Sequence, residues 1–210
     1  MSHTGAALAG AVVAAEVGAL AHVPENWDRF SDKDMRKLKE SSVSDKMATG
    51  GELDHAAFLR KSFDVARRAR KNGNHPFGAI LVGPQGELLI ECENGFMSDH
   101  DMTAHAERLL ATQASRTYEP AFLARCTVYA SAEPCAMCAG AVYWAGIGRV
   151  VFGMTERRLK ALTGNHAENP TLDLPCRTVF AAGQRRVEVI GPLLEDEAEA
   201  VHAGAWGTPR

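Results

Sequence analysis

Ser131-Ala132-Glu133-Pro134-Cys135-Ala136-Met137-Cys138, taken with His105-Ala106-Glu107 about thirty residues earlier, is where this chain declares its chemistry. Together the two stretches offer one imidazole, two thiols three positions apart and, two positions after the imidazole, a carboxylate, Glu107, that is not needed as a ligand. That inventory describes a catalytic zinc site: three protein ligands, an open fourth position for water, and a base beside it.

Pro134 suits the first turn of a helix running through Cys135, Cys138, Val142 and Trp144 to Gly146. Thiols at i and i+3 in such a turn point the same way, and the helix N-terminus favours their thiolates. Alone, Cys-x-x-Cys also fits half of a structural zinc site or a redox pair. A structural site needs a second ligand pair, and the sequence has no other Cys-x-x-Cys and no His-x3-His. A redox pair requires no His-x-Glu. With His105 on a metal, Glu107 lies too far round the helix to complete the same tetrahedron, yet close enough to reach a water held there. The bland alternative for Glu107 is an ordinary helix-capping carboxylate.

Outward from this centre the chain reads as alternating helices and strands. Leu59, Phe63, Ala66 and Arg70 recur at helical spacing after the N-cap candidate Asp54, and the helix stops at Asn72-Gly73. Short apolar runs at 79–82 and 88–92 flank Gly83-Pro84-Gln85-Gly86 and predict a hairpin. A helix over 103–114, a buried strand over 127–131, the Cys-bearing helix, a strand over 149–152 and a helix over 155–162 follow. An irregular Pro-rich segment at 164–175 precedes a last strand at 186–190 and a last helix at 193–205. The order α-β-β-α-β-α-β-α-β-α predicts one mixed sheet with helices on both faces.

With 210 residues, 46% hydrophobic and 23% charged, the chain has the composition of an ordinary soluble domain with some excess. A net charge of −3 lowers the expectation of nucleic-acid binding, which needs clustered cations. Five cysteines, an odd number, argue for a reducing compartment and a metal site rather than a disulfide framework. Residues 1–51 differ in texture: an Ala- and Gly-rich stretch, then a charged, Ser-containing run, then Thr49-Gly50-Gly51. No Lys or Arg precedes the apolar stretch and Glu16 interrupts it, so neither a signal peptide nor a membrane span is expected. The stretch reads as a flexible or weakly helical extension ahead of a domain at 52–210.

The pattern H-x-E … P-C-x-x-C is that of zinc-dependent base deaminases. His105-Ala106-Glu107 and Pro134-Cys135-Ala136-Met137-Cys138 resemble the cytidine deaminase superfamily, in its branch of guanine deaminases and tRNA adenosine deaminases. The resemblance spans roughly residues 55–160 and, more weakly, the remainder. It implies a three-layer α/β/α fold around a five-stranded mixed sheet, a cytoplasmic homodimer, and hydrolytic deamination of an amino-substituted base. It also implies Zn2+ on His105, Cys135 and Cys138, with Glu107 as the proton relay, and a backbone amide near Cys135 that helps hold water or substrate.

For the substrate, Asn74-His75-Pro76-Phe77-Gly78-Ala79 and Ala141-Val142-Tyr143-Trp144-Ala145 resemble guanine deaminases, with Phe77 and Ala79 beside the base. Arg149-Val150-Val151-Phe152-Gly153 is similar to the tRNA-editing enzymes instead. The acidic run after Leu194 favours a free purine base or nucleoside over tRNA, because a phosphate-binding helix wants basic residues. Asn94 matches an Asn that both branches use to hydrogen-bond the base or sugar; in Asn94-Gly95 it also fits a turn. Guanine deaminases read the base edge with an acid well after the Cys pair, and Glu168 is the carboxylate in that window, with a surface loop as the alternative. Arg157-Arg158 and Arg185-Arg186 read as solvated surfaces, and Trp206 and Phe180 as packing or dimer contacts. The expected activity is deamination of guanine or a related base. A tRNA adenosine deaminase is the rival enzyme, and a non-catalytic zinc-fold binding subunit the rival of another class.

Overall fold

The computed structural model describes residues 53–164 and 166–206. The expectations for residues 1–51 lie outside the described residues.

The chain opens with helix α1, His55–Lys71, whose N-cap Asp54 accepts a hydrogen bond from the Ala57 amide. Strands β1 (Gly78–Val82) and β2 (Leu88–Glu93) form the expected antiparallel hairpin. Then come α2 (Ala106–Thr117), a single-turn α3 (Pro120–Leu123), β3 (Thr127–Ala132), α4 (Ala136–Trp144), β4 (Arg149–Met154) and α5 (Glu156–Thr163). A short α6 (Cys176–Ala181), β5 (Glu188–Ile190) and α7 (Glu195–Val201) complete it.

The strands make one sheet in the order β2-β1-β3-β4-β5. β1 is antiparallel to both neighbours, whereas β3, β4 and β5 run parallel, so the sheet is mixed. Alternation along the strands splits the core in two. Leu81, Val128 and Val150 face Leu110, Val142 and Phe180 of α2, α4 and α6. Ile80, Tyr129 and Val151 face Leu59, Phe63, Leu159 and Val201 of α1, α5 and α7. This is the expected three-layer α/β/α arrangement.

The differences from the sequence reading have local causes. Pro134 stands one position before the N-cap of α4, which is Cys135 itself, so the proline precedes the helix rather than joining its first turn. Helix α2 begins at Ala106, not at 103, because Asp101 accepts hydrogen bonds from the Thr103 amide and hydroxyl and holds 101–104 in a turn. The last strand and last helix are shorter than predicted. α3 and α6 are too short to show helical periodicity, and α6 hides behind Leu174-Pro175. Of the arginine pairs, Arg157 and Arg186 are exposed as expected, but their neighbours are engaged. Arg158 reaches Glu195, Asp196 and Glu199, and Arg185 donates to the Ile147 and Tyr143 carbonyls while lying over the Tyr143 ring.

β1 crosses α1 where only glycine fits. A Cβ on Gly78 would stand 2.5 Å from the Ala66 amide nitrogen and 2.7 Å from the Ser62 carbonyl oxygen. Gly78→Ala is therefore expected to cost roughly 2 kcal/mol or more through overpacking. A denaturation midpoint equal to wild type would show that α1 can slide aside.

His202, fully buried at the end of α7, provides a pH dependence. Its Nδ1 accepts from the Trp206 indole, which can only donate, so the neutral ring carries its proton on Nε2. Burial, helped by the nearby Arg70 cation, pushes its pKa down to about 4. Between pH 6.5 and 4 the unfolded chain binds a proton that the folded chain refuses, so stability falls as pH drops through that window. The loss from this residue is on the order of 3 kcal/mol. Chemical denaturation at several pH values should show a shallower acid slope for His202→Phe than for wild type; identical slopes would refute the assignment.

Candidate active site

Both motif stretches end up at helix starts. His105 and Cys135 are the N-cap residues of α2 and α4, each in extended backbone conformation, and Cys138 sits one turn into α4. The N-termini of two helices thus converge on one point, an arrangement that favours anionic thiolates there. β3 delivers the second stretch, and the Glu133 amide continues its pairing with β4 by donating to the Met154 carbonyl at 2.7 Å.

The ligand atoms of His105, Cys135 and Cys138 all lie within 4.8 Å of one another, the one group of this kind among the described residues. His105 Nδ1 is 3.6 Å from Cys135 Sγ. With Zn–S near 2.3 Å and Zn–N near 2.0–2.1 Å, the edge of a tetrahedron between these atoms is about 3.6 Å. The donor set and its spacing therefore fit zinc. Two thiolates and an imidazole are also the ligand types that zinc prefers. The hydrogen bond from Cys138, and next the one with His105, pushes the Cys135 thiol down to about 4. Its partnership with Cys135, together with burial, pushes Cys138 up.

Glu107 follows His105 by two positions and is 6% exposed. Burial, reinforced by Cys135 and opposed by His105, raises its pKa to about 7. It lines a small cleft together with Phe77, His105, Cys135, Glu156 and Asn169, with Leu159 on one side. The cleft opens beyond the C-terminal ends of the parallel strands β3 and β4, where α/β sheets commonly bind ligands.

The other residues singled out from sequence are placed as follows. Phe77 lines the cleft and is backed by His202 and Trp206, whose rings lie 5.1 and 6.0 Å away. Ala79 is buried in β1, facing the α2 side of the sheet. Asn94 is buried, and its Oδ1 accepts from the Phe96 amide, the turn geometry weighed as its alternative; it borders a separate polar depression with Asn74 and Asp99. Glu168 is exposed and bonds His75 Nε2 at 3.1 Å, next in sequence to the cleft-lining Asn169.

Two carboxylates escaped the sequence reading. Glu133 is 7% exposed; its Oε2 accepts from the Glu156 amide at 3.1 Å and its Oε1 from the Cys176 amide at 3.0 Å. Glu156 opens α5 and lines the cleft. Burial, with Cys135, Glu107 and Glu133 adding to it, raises its pKa to about 8. The available signal was its place just beyond the strand predicted over 149–152, since strand ends are where such sheets bind ligands.

Known proteins agree with this geometry. The family profile described as "Cytidine and deoxycytidylate deaminase zinc-binding region" matches residues 53–154. A probable cytosine deaminase of Schizosaccharomyces pombe is 39% identical over 150 residues, spanning 71% of this chain and 91% of its own length. A tRNA-specific adenosine deaminase of Aquifex aeolicus is 33% identical over 118 residues, 55% of this chain and 78% of its own. Among solved structures, guanine deaminase from Nitrosomonas europaea shares the fold at a TM-score of 0.59 and 23% identity, covering 78% of this chain and 89% of that one. The chain belongs to the zinc-binding cytidine and deoxycytidylate deaminase family.

Proposed function

We propose that the protein is a hydrolase that releases ammonia from a free nucleobase, guanine foremost, with zinc held by His105, Cys135 and Cys138. The observation that carries this reading is Glu107: a carboxylate, buried beside the ligand group, that opens on the same cleft. A structural zinc site or a mere binding subunit has no use for such a group. Its pKa, raised to about 7 by burial, suits proton exchange near neutral pH.

Zinc bound there supplies Lewis acidity that makes water a nucleophile at neutral pH. Glu107 takes the proton that water gives up as its oxygen bonds to the amino-bearing ring carbon. The same carboxyl then delivers protons to the adjacent ring nitrogen and the departing amine. The C–N bond breaks, ammonia leaves, and a carbonyl stands in its place, one water being consumed. Phe77 and Leu159 supply apolar walls that exclude bulk water from this exchange.

A free base fits better than tRNA because the cations near the acidic C-terminal helix are already engaged. Arg60 pairs with Glu197, and Arg158 with three carboxylates of α7 and its N-cap region. Arg68 likewise pairs with Glu91 and Glu93. Little unpaired positive charge is left there to follow a phosphate backbone. Cytosine is the second reading, favoured by the S. pombe relative. Trp144, 86% exposed on α4, suits a face covered by a second copy in a homodimer. The five free cysteines fit a reducing cytoplasm, and among the described residues no helix is long and apolar enough to cross a membrane.

The test is ammonia release from guanine, cytosine, adenine, guanosine, cytidine and a tRNA anticodon stem-loop. Turnover of a free base supports the reading. Turnover of the stem-loop alone refutes it, and zinc-loaded protein inert on every substrate would favour the binding subunit.

A further inference from the structure

Glu156 is an ionisable group in the cleft to which the deamination chemistry gives no part. It is 8% exposed, and among the described residues no hydrogen bond or ion pair reaches its carboxylate; only its backbone amide is held, by Glu133 Oε2. Its position is nonetheless fixed from two directions. Glu133 grips the first amide of α5, while the Thr155 hydroxyl caps the helix at the Arg158 amide and donates to Glu195. Glu156 lines the cleft, so hydrogen-bond donors brought by a ligand can reach its carboxylate there. Glu168 offers a contrast, being exposed and already joined to His75.

We propose that Glu156 selects the substrate: its carboxylate, carried to the cleft by a helix start that Glu133 holds, accepts the two adjacent N–H donors that guanine presents beside its amino-bearing carbon. This rests on the free-base reading above. In guanine the amino group and the N1–H point side by side, the paired donors that a carboxylate takes in bidentate fashion. Cytosine offers its amino group alone there, because its flanking N3 is an acceptor. 2-Aminopurine keeps the amino group on the same carbon but has a bare acceptor at N1, so it isolates the contact at issue.

The experiment compares kcat/KM for guanine and 2-aminopurine in zinc-loaded wild type and Glu156→Gln, with metal content measured on both. Wild type should prefer guanine. Glu156→Gln, whose amide can donate to N1, should lower the guanine to 2-aminopurine ratio roughly 100-fold, as expected for loss of a bidentate contact, with zinc content unchanged. Should Glu156→Gln fail to fold, Glu156→Asp serves: it keeps the acceptor and should retain the guanine preference with a raised KM. An unchanged ratio in Glu156→Gln, loss of the preference in Glu156→Asp, or a wild-type preference for 2-aminopurine would overturn the proposal. Wild type active on cytosine but not guanine would overturn it while leaving the free-base reading intact. Inactivity on every free base would end both.

Discussion

Glu107→Gln is expected to lower kcat by roughly 10²- to 10⁴-fold, the usual worth of a placed general acid–base group, and to leave the protein with its zinc. The side chain is nearly isosteric and lies outside the ligand group, so the fold and the metal site have no reason to change. What disappears is a carboxyl that can both take a proton and give it back; the amide can do neither. Steady-state ammonia release together with metal analysis reads both halves. Near-normal turnover with zinc in place would show that another group moves the proton. Glu156 would be the first to examine, since it lines the same cleft.

Removing the metal is the second large effect. Chelation should abolish turnover and lower the thermal midpoint by about 10 °C. A ligand bound only by the folded state adds roughly 4 kcal/mol at a thousandfold excess over its Kd. For a domain of this size each kcal/mol moves the midpoint by roughly 2–4 °C. The physical origin is the sulfur pair. Cys138 is fully buried, and without a cation two thiolates side by side at converging helix starts repel each other. A dication lets both be thiolates at once. Calorimetry before chelation, after it, and after adding back stoichiometric zinc measures the shift. An unchanged midpoint would mean that the site is not what holds α2 and α4 together.

The metal group was readable in sequence because its ligands are short-range features: a His-x-Glu and a Cys-x-x-Cys keep their spacing whatever the tertiary context. The layers were readable for a related reason. Helical spacing in α1 and short apolar runs such as Gly78–Val82 reflect which face each element buries. The far wall of the cleft was not readable. Glu156 is, by sequence, an unremarkable acid in the first turn of a helix; only the parallel pairing of β3 and β4 turns that helix start toward His105 and Cys135. Counting from the Cys pair lands near His166 and makes Glu168 the carboxylate of that window; its side chain is exposed and bonds His75, while the adjoining Asn169 lines the cleft. The turn chemistry at Asn94 was weighed from Asn94-Gly95, and its side chain does close a turn.

Glu133, within the stretch that opened the sequence, has a wider consequence. One of its oxygens grips the start of α5 and the other the start of α6, the two helices that bracket segment 164–175. Both helices on either side of this surface segment are thus anchored to the turn that carries Cys135. A segment held this way can change length or composition at little cost to the metal centre. The division resembles that of a tool with a fixed shank and exchangeable bits: the turn that carries the metal ligands stays put, and the outer rim can vary.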